Sequence, residues 1–152
     1  MALNQEFVGK VYPASAPYEV GREKVREFAV AIGDMNPAYH DVAAAQALGH
    51  RDLVAPPTFP FTITMRAMAV VMFDPDLGLD YSRVVHGEQR FAYSRPLMTG
   101  DSVVVSTTIE NIRVAAGNDI LTSRSEVSTV DGEHVVTTWA VTVARGTAEE
   151  SA

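Results

Sequence analysis

Between Phe61 and Phe73 the chain sets apolar side chains all the way round a helix. Phe61, Ile63, Met65, Ala67, Met68, Ala69, Val70, Val71 and Met72 leave Arg66 as the one charge. A helix with no polar face is expected to be buried on most of its sides. Immediately afterwards the pattern changes to period two. Val84–Ser94, Ser102–Val114, Ile120–Val130 and Val135–Ala144 alternate and are rich in Val, Thr and Ile, which predicts four strands. Arg95-Pro96 ends the first, Ala115-Ala116-Gly117-Asn118 links the second to the third, and Asp131-Gly132 is a tight-turn signal before the fourth. A run of strands joined this closely is antiparallel. An α+β arrangement in which that sheet curls around one long central helix buries both. The other arrangement left open is an α+β sandwich with helices on one sheet face.

The first half of the chain is shorter-ranged. Tyr12–Tyr18 holds two prolines and reads as an extended piece, a first edge strand. Gly21–Ile32 reads as an amphipathic helix with Val25, Phe28, Ala29 and Ile32 on one side, stopped by Gly33. Val42–Leu48 is a second, shorter helix stopped by Gly49. Leu53–Pro57 is loop or short extended chain; Pro60 then suits the first turn of the apolar helix, with Thr58 as its cap. At 152 residues and with no linker or internal repeat, the sequence is expected to form a single domain over 1–152, with 146–152 as a flexible, acidic tail.

Composition removes several function classes. The formal net charge of -7 disfavours a phosphate-backbone surface, so no nucleic-acid partner is expected. There is no cysteine, which excludes thiol chemistry and Cys-based metal sites and is compatible with a reducing cytoplasm, the expected location. No signal-peptide pattern is read at Met1–Glu6, and the Met65–Phe73 run is too short to span a bilayer, so no membrane association is expected. The four histidines are dispersed and no Gly-rich phosphate loop occurs, so neither a metal site nor a cofactor is expected. A Gly-x-Ser-x-Gly elbow is also missing, which weakens a serine-hydrolase reading.

The densest chemistry lies in Gly33-Asp34-Met35-Asn36-Pro37-Ala38-Tyr39-His40-Asp41. Moving water on or off an enoyl thioester needs a group to shuttle a proton and a group to hold the water, and Asp with His can serve. The same residues also make a turn: Asp34 or Asn36 could cap the helix that follows. Both readings stand on residue types alone.

The wording resembles the hydratase motif of the MaoC-like, R-specific enoyl hydratases, Asp-x-Asn-Pro-x-His-x-Asp, at Asp34, Asn36, Pro37 and Asp41. The run His86-Gly87-Glu88-Gln89-Arg90-Phe91, then Arg95-Pro96 and Gly100-Asp101, resembles the later strand and turn of that superfamily. Tyr18–Ala29 and Leu53–Phe59 resemble a narrower group of small actinobacterial proteins with a MaoC-dehydratase N-terminal-type (FAS1-like dehydratase) domain. The resemblance implies a hotdog fold and dehydration of (R)-3-hydroxyacyl thioesters, carried on acyl carrier protein or coenzyme A, in fatty-acid metabolism. It also implies a dimer, either of two copies or of this chain with a MaoC-like catalytic subunit.

The departure from the motif is one residue: Tyr39 occupies the family's His position, and the nearby histidine is His40. Two readings follow. In one, the chain is the substrate-binding subunit of a pair. In the other, it is a self-sufficient hydratase with Asp34 and His40 as its catalytic residues. A hotdog acyl thioesterase and a non-catalytic scaffold are the further alternatives. Candidate substrate-binding residues are Asn36, Tyr39, Thr58, Phe59, His86 and Gly87. The family polarises the thioester carbonyl with backbone N–H groups where its central helix begins, and here Pro56-Pro57-Thr58-Phe59-Pro60 leaves Thr58 and Phe59 as donors. His86 reads equally as a polar substrate contact or as a strand-edge histidine paired with Glu88. His50 and His134 sit beside turn residues and read as solvated. Met65, Met68 and Met72 read as core, or as the lining of an acyl tunnel.

Overall fold

The computed structural model describes residues 2–147. The four period-two segments are strands β2 (Val84–Tyr93), β3 (Ser102–Ala115), β4 (Asn118–Thr129) and β5 (His134–Ala144), preceded by a two-residue β1 (Tyr18–Glu19). They form one antiparallel sheet in the order β1-β3-β4-β5-β2. Alternation sets its inner face: Val103, Val105, Thr107 and Ile109 of β3 are buried, as are Leu121, Ser123, Ser125 and Val127 of β4. Asp131-Gly132 makes the β4–β5 turn, with Gly132 at φ 93°. Helices α1 (Arg22–Ala31) and α2 (Val42–Ala47) end just before the left-handed glycines Gly33 and Gly49.

The apolar segment packs on this inner face against β3 and β5, giving the hotdog arrangement. Two details differ from the sequence reading. The helix is divided into α3 (Pro60–Ala67) and α4 (Ala69–Met72), meeting at Met68. It is also covered on one side alone. Ile63, Thr64, Met68, Val71 and Met72 face the sheet, while Met65, Arg66, Ala69, Val70 and Phe73 are exposed. A single sheet has one concave face, and nothing else within the described residues covers the far side of the helix.

The core divides along the helix. Phe59 and Ile63 pack with Val25, Leu53, Leu97, Val105 and Val136. Met68, Val71 and Met72 pack with Leu3, Phe7, Leu77, Ile109 and Leu121. Across the sheet, Thr107 pairs with Ser125 and Ser125 with Thr138 in register, a buried hydroxyl row closed by a 2.8 Å Thr107–Ser125 hydrogen bond.

The expected strand over Tyr12–Tyr18 is mostly irregular. Tyr12 N–H donates to Thr107 O and Ser15 N–H to Val105 O, both at 2.8 Å. Pro13 and Pro17 have no N–H to continue a ladder, so regular strand pairing survives only at Tyr18 and Glu19. Thr58 does not cap α3: Phe59 is the N-cap and no side chain accepts there, although Pro60 does take the first helical position.

Two buried carboxylates tie the fold together. Asp101 accepts from both Arg95 terminal nitrogens and from Met98 N–H, and pairs with Arg51. Burial works to raise its pKa, but the bonds from Arg95 and Met98 and the charge of the two arginines hold it below the ordinary carboxylate value. Asp119 is fully buried, and its Oδ2 accepts from Leu3 N–H at 3.1 Å and from the Thr147 hydroxyl at 2.6 Å. Thr147, at the start of the expected flexible tail, is buried there; residues 148–152 of that tail lie outside the described residues.

Candidate active site and its neighbours

The Asp34–Asp41 loop is organised by its own short side chains. Gly33, at φ 72°, turns the chain out of α1. Asp34 accepts from Asn36 N–H at 3.1 Å, and Asn36 accepts from Ala38 N–H at 3.0 Å, capping a 3-10 turn over Pro37–Tyr39. Asp41 then caps α2, accepting from Ala43 N–H at 2.8 Å. The capping role and the loop geometry are therefore the same interactions.

His40 does not meet the carboxylate of Asp34 in this arrangement. Its Nε2 lies 3.0 Å from the Asp34 backbone carbonyl. A carbonyl can only accept, so in the neutral ring Nε2 carries the hydrogen and Nδ1 is left as the acceptor. Arg26 Nε holds the His40 carbonyl at 3.0 Å, fixing the backbone beneath the ring.

Tyr39 points elsewhere. It packs against the first core cluster and lines a cavity of about 360 Å³ with Val54, Ala55, Pro57, Tyr93, Ser94, Arg95 and Pro96. Burial raises its pKa, and the nearby Asp34 charge raises it further, so its phenol stays protonated. Across the cavity Tyr93 donates to Pro57 O at 2.6 Å; burial, then Tyr39, pushes its pKa up as well. Asp34 and His40 line neither this cavity nor the one of about 550 Å³ between Tyr12–Tyr18 and α3.

Of the two backbone donors before α3, Phe59 N–H is already bonded to Pro56 O at 2.8 Å, and the Phe59 side chain is fully buried against Phe28. Thr58 is exposed, and its N–H has no hydrogen-bond partner among the described residues. His86 lies on β2, edge-on to Phe61 at 5.4 Å, beside a cavity of about 210 Å³ that Met65, Met68 and Met72 also line. Glu88 does not pair with His86 but with Arg90, at 3.2 Å. Gly87 is the extra residue of a bulge between His86 and Glu88, and a Cβ there would meet Val141 O and Val143 Cγ2 at 3.4 Å.

Sequence reasoning passed over Tyr93 and Ser94, which close the Tyr39 cavity from the end of β2. The signal was the strand end itself, directly before Arg95-Pro96. His134 also differs from its reading as a solvated turn residue. It is half-buried and bonded to Ser94 at 2.6 Å and to Thr137 at 2.8 Å.

A sequence profile of the FAS1-like, dehydratase domain region matches residues 6–138. The chain belongs to this FAS1-like dehydratase family. A UPF0336 protein of Streptomyces coelicolor is 61% identical over 149 residues, covering 98% of this chain and 99% of that protein. A solved MaoC-like dehydratase superposes with a TM-score of 0.87 at 34% identity, over 95% of this chain and 44% of that one. This FAS1-like dehydratase domain thus spans less than half of that longer chain. The C-terminally truncated HadBC (3R-hydroxyacyl-ACP dehydratase) complex from Mycobacterium tuberculosis matches with a TM-score of 0.81 at 30% identity, over 90% of this chain and 96% of the matched one. These likenesses make the chain a hotdog protein of the MaoC-like hydratase–dehydratase family. Among the described residues no helix is long and apolar enough to cross a membrane.

Proposed function

We propose that this FAS1-like dehydratase domain holds the acyl part of an (R)-3-hydroxyacyl thioester for a MaoC-like catalytic subunit, within a heterodimeric dehydratase. The observation that carries this reading is the division of labour in one loop. Tyr39, at the family's His position, lines an apolar cavity, whereas His40 is bonded to the backbone of Asp34 and lines neither large cavity. Holding a substrate needs the cavity; moving its proton needs a base within reach of it. The likeness to HadBC, which is a complex, supports a two-subunit arrangement. Strand β2, an uncovered edge, is the surface on which we place that partner.

A second reading keeps one observation: the acceptor Nδ1 of neutral His40 stands free to serve as a base, with Asp34 half-buried nearby. Spectrophotometric hydration of crotonyl-coenzyme A separates the two. The chain alone is expected to add no water, and activity is expected on mixing with a MaoC-like partner. Hydration by the lone chain, abolished by Asp34→Asn or His40→Ala, would establish the self-sufficient enzyme instead.

A further inference from the structure

Three residues, one just past a strand end and two on strands, meet beside the Tyr39 cavity. Ser94 follows the end of β2, His134 opens β5, and Glu126 lies on β4. Ser94 Oγ is 2.6 Å from His134 Nδ1. The other ring nitrogen, Nε2, is 2.8 Å from Thr137 Oγ1 and 3.2 Å from Glu126 Oε2. Thr137 Oγ1 in turn donates to Glu126 Oε2 at 2.6 Å. Arg124 Nη1 stands 3.6 Å from the other Glu126 oxygen.

With a neutral imidazole and an ionised carboxylate, these bonds admit one ordering of protons. An ionised Glu126 only accepts, so Thr137 spends its hydrogen on Glu126 and its oxygen is left to accept. Nε2 must therefore carry the ring hydrogen, and Nδ1 is the acceptor. Ser94 then donates its hydroxyl hydrogen to Nδ1. A serine hydroxyl bonded to a neutral imidazole, with a carboxylate behind the ring, is an activated nucleophile. Ser94 is exposed and lines the cavity of about 360 Å³ whose walls include Val54, Ala55 and Pro57.

Two other donors that line the cavity are already committed. Arg95 spends all five N–H groups on Glu133, Asp101 and Pro96 O. Tyr93 spends its hydroxyl on Pro57 O. The Tyr39 hydroxyl has no hydrogen-bond partner among the described residues.

We propose that Ser94, with His134 as its base, is a covalent acylation site for short acyl esters and thioesters. In the step, Ser94 Oγ attacks the carbonyl carbon and its proton passes to His134 Nδ1. The C–S or C–O bond then breaks, and the thiol or alcohol leaves with that proton. The result is an acyl-serine, released when water adds through the same base. This goes beyond the hydratase reading and does not need a partner subunit.

The test uses the intact purified chain and a fluorophosphonate probe, with peptide mass spectrometry to place the adduct. Attack by Ser94 Oγ forms an O–P bond and expels fluoride. The expected result is one adduct at Ser94, lost in Ser94→Ala, and formed about 10²-fold or more slowly in His134→Ala. A thermal melt checks that each variant is folded. Turnover of p-nitrophenyl acetate, absent in Ser94→Ala, would extend the result from phosphonyl to acyl chemistry. No adduct at Ser94, or a labelling rate indifferent to His134→Ala in a folded variant, would overturn the proposal. Ser94 lines the cavity assigned above to the acyl chain, so the readouts separate the two proposals: covalent labelling of the lone chain at Ser94 decides this one, and crotonyl-coenzyme A hydration on mixing with a MaoC-like partner decides the other.

Discussion

The two edges of the sheet are built in opposite ways. At one edge, β3 is covered by the N-terminal segment. Prolines, the two-residue β1, an isolated Val11–Thr108 bridge and the Ser15 hydroxyl share out its outward groups. At the other, β2 runs ten residues with β5 as its one neighbour among the described residues. Val85, His86, Glu88, Arg90, Ala92 and Tyr93 along it are exposed. A long bare edge is a template for another strand, and natural proteins cover or interrupt such edges unless they use them. The covered edge follows the protective pattern. The β2 edge carries one bulge, at Gly87, and otherwise stays open; it bears His86 and leads directly into Ser94.

Three substitutions probe that contrast. The largest expected effect is at Asp101, where the covered edge is anchored: Val20 N–H donates to its carbonyl and Arg95 and Arg51 pair with its carboxylate. Asp101→Asn should cost about 3 kcal/mol, the low end for breaking a buried pair because the arginines keep some solvent, read as a lower urea midpoint. The pH dependence follows from the same carboxylate. Its folded pKa is depressed, so its contribution is complete above the ordinary carboxylate value and fades as pH falls through the folded value. The acid limb of the wild-type stability curve should therefore flatten in Asp101→Asn; an unchanged limb would mean the pair contributes nothing.

Next in size is the open edge. Val85→Glu should change the stability of the lone chain by no more than about 0.5 kcal/mol, as an exposed site. It should weaken pairing through β2 by about tenfold or more, equivalent to about 1.4 kcal/mol, measured by sedimentation. Equal association of variant and wild type would remove β2 as the docking edge. The smallest effect is back on the covered side. Ser15→Ala takes away the acceptor that Val105 N–H meets at 3.0 Å and should cost about 1 kcal/mol without altering association.

The sheet was legible because period-two alternation records which face is inward, and β2 to β5 fall within two residues of their sequence-based limits. The helix was legible as apolar but not in its cover. Met65, Val70 and Phe73 are exposed, and residue types alone do not tell a side chain that faces its own sheet from one left for another surface. In the Asp34–Asp41 loop, the caps could be anticipated from Asp and Asn spacing. The direction of the His40 ring could not, because its partner is the Asp34 backbone carbonyl, which residue types do not record. The Ser94–His134–Glu126 cluster was hidden for a different reason. The whole of β3 lies between Ser94 and the other two along the chain, and Glu126 and His134 meet across the Asp131-Gly132 turn through the β4–β5 register that sets Glu126 opposite Thr137.

Asp119 has one more consequence. Leu3 and Thr147 grip the same carboxylate oxygen, so the described chain is nearly a closed loop. A peptide of a few residues could bridge Leu3 to Thr147 without crossing the sheet, and fresh termini could be opened at the Asp131-Gly132 hairpin. Such a rearranged gene product should retain the hydrophobic layers intact, which makes this hotdog a ready host for circular permutation.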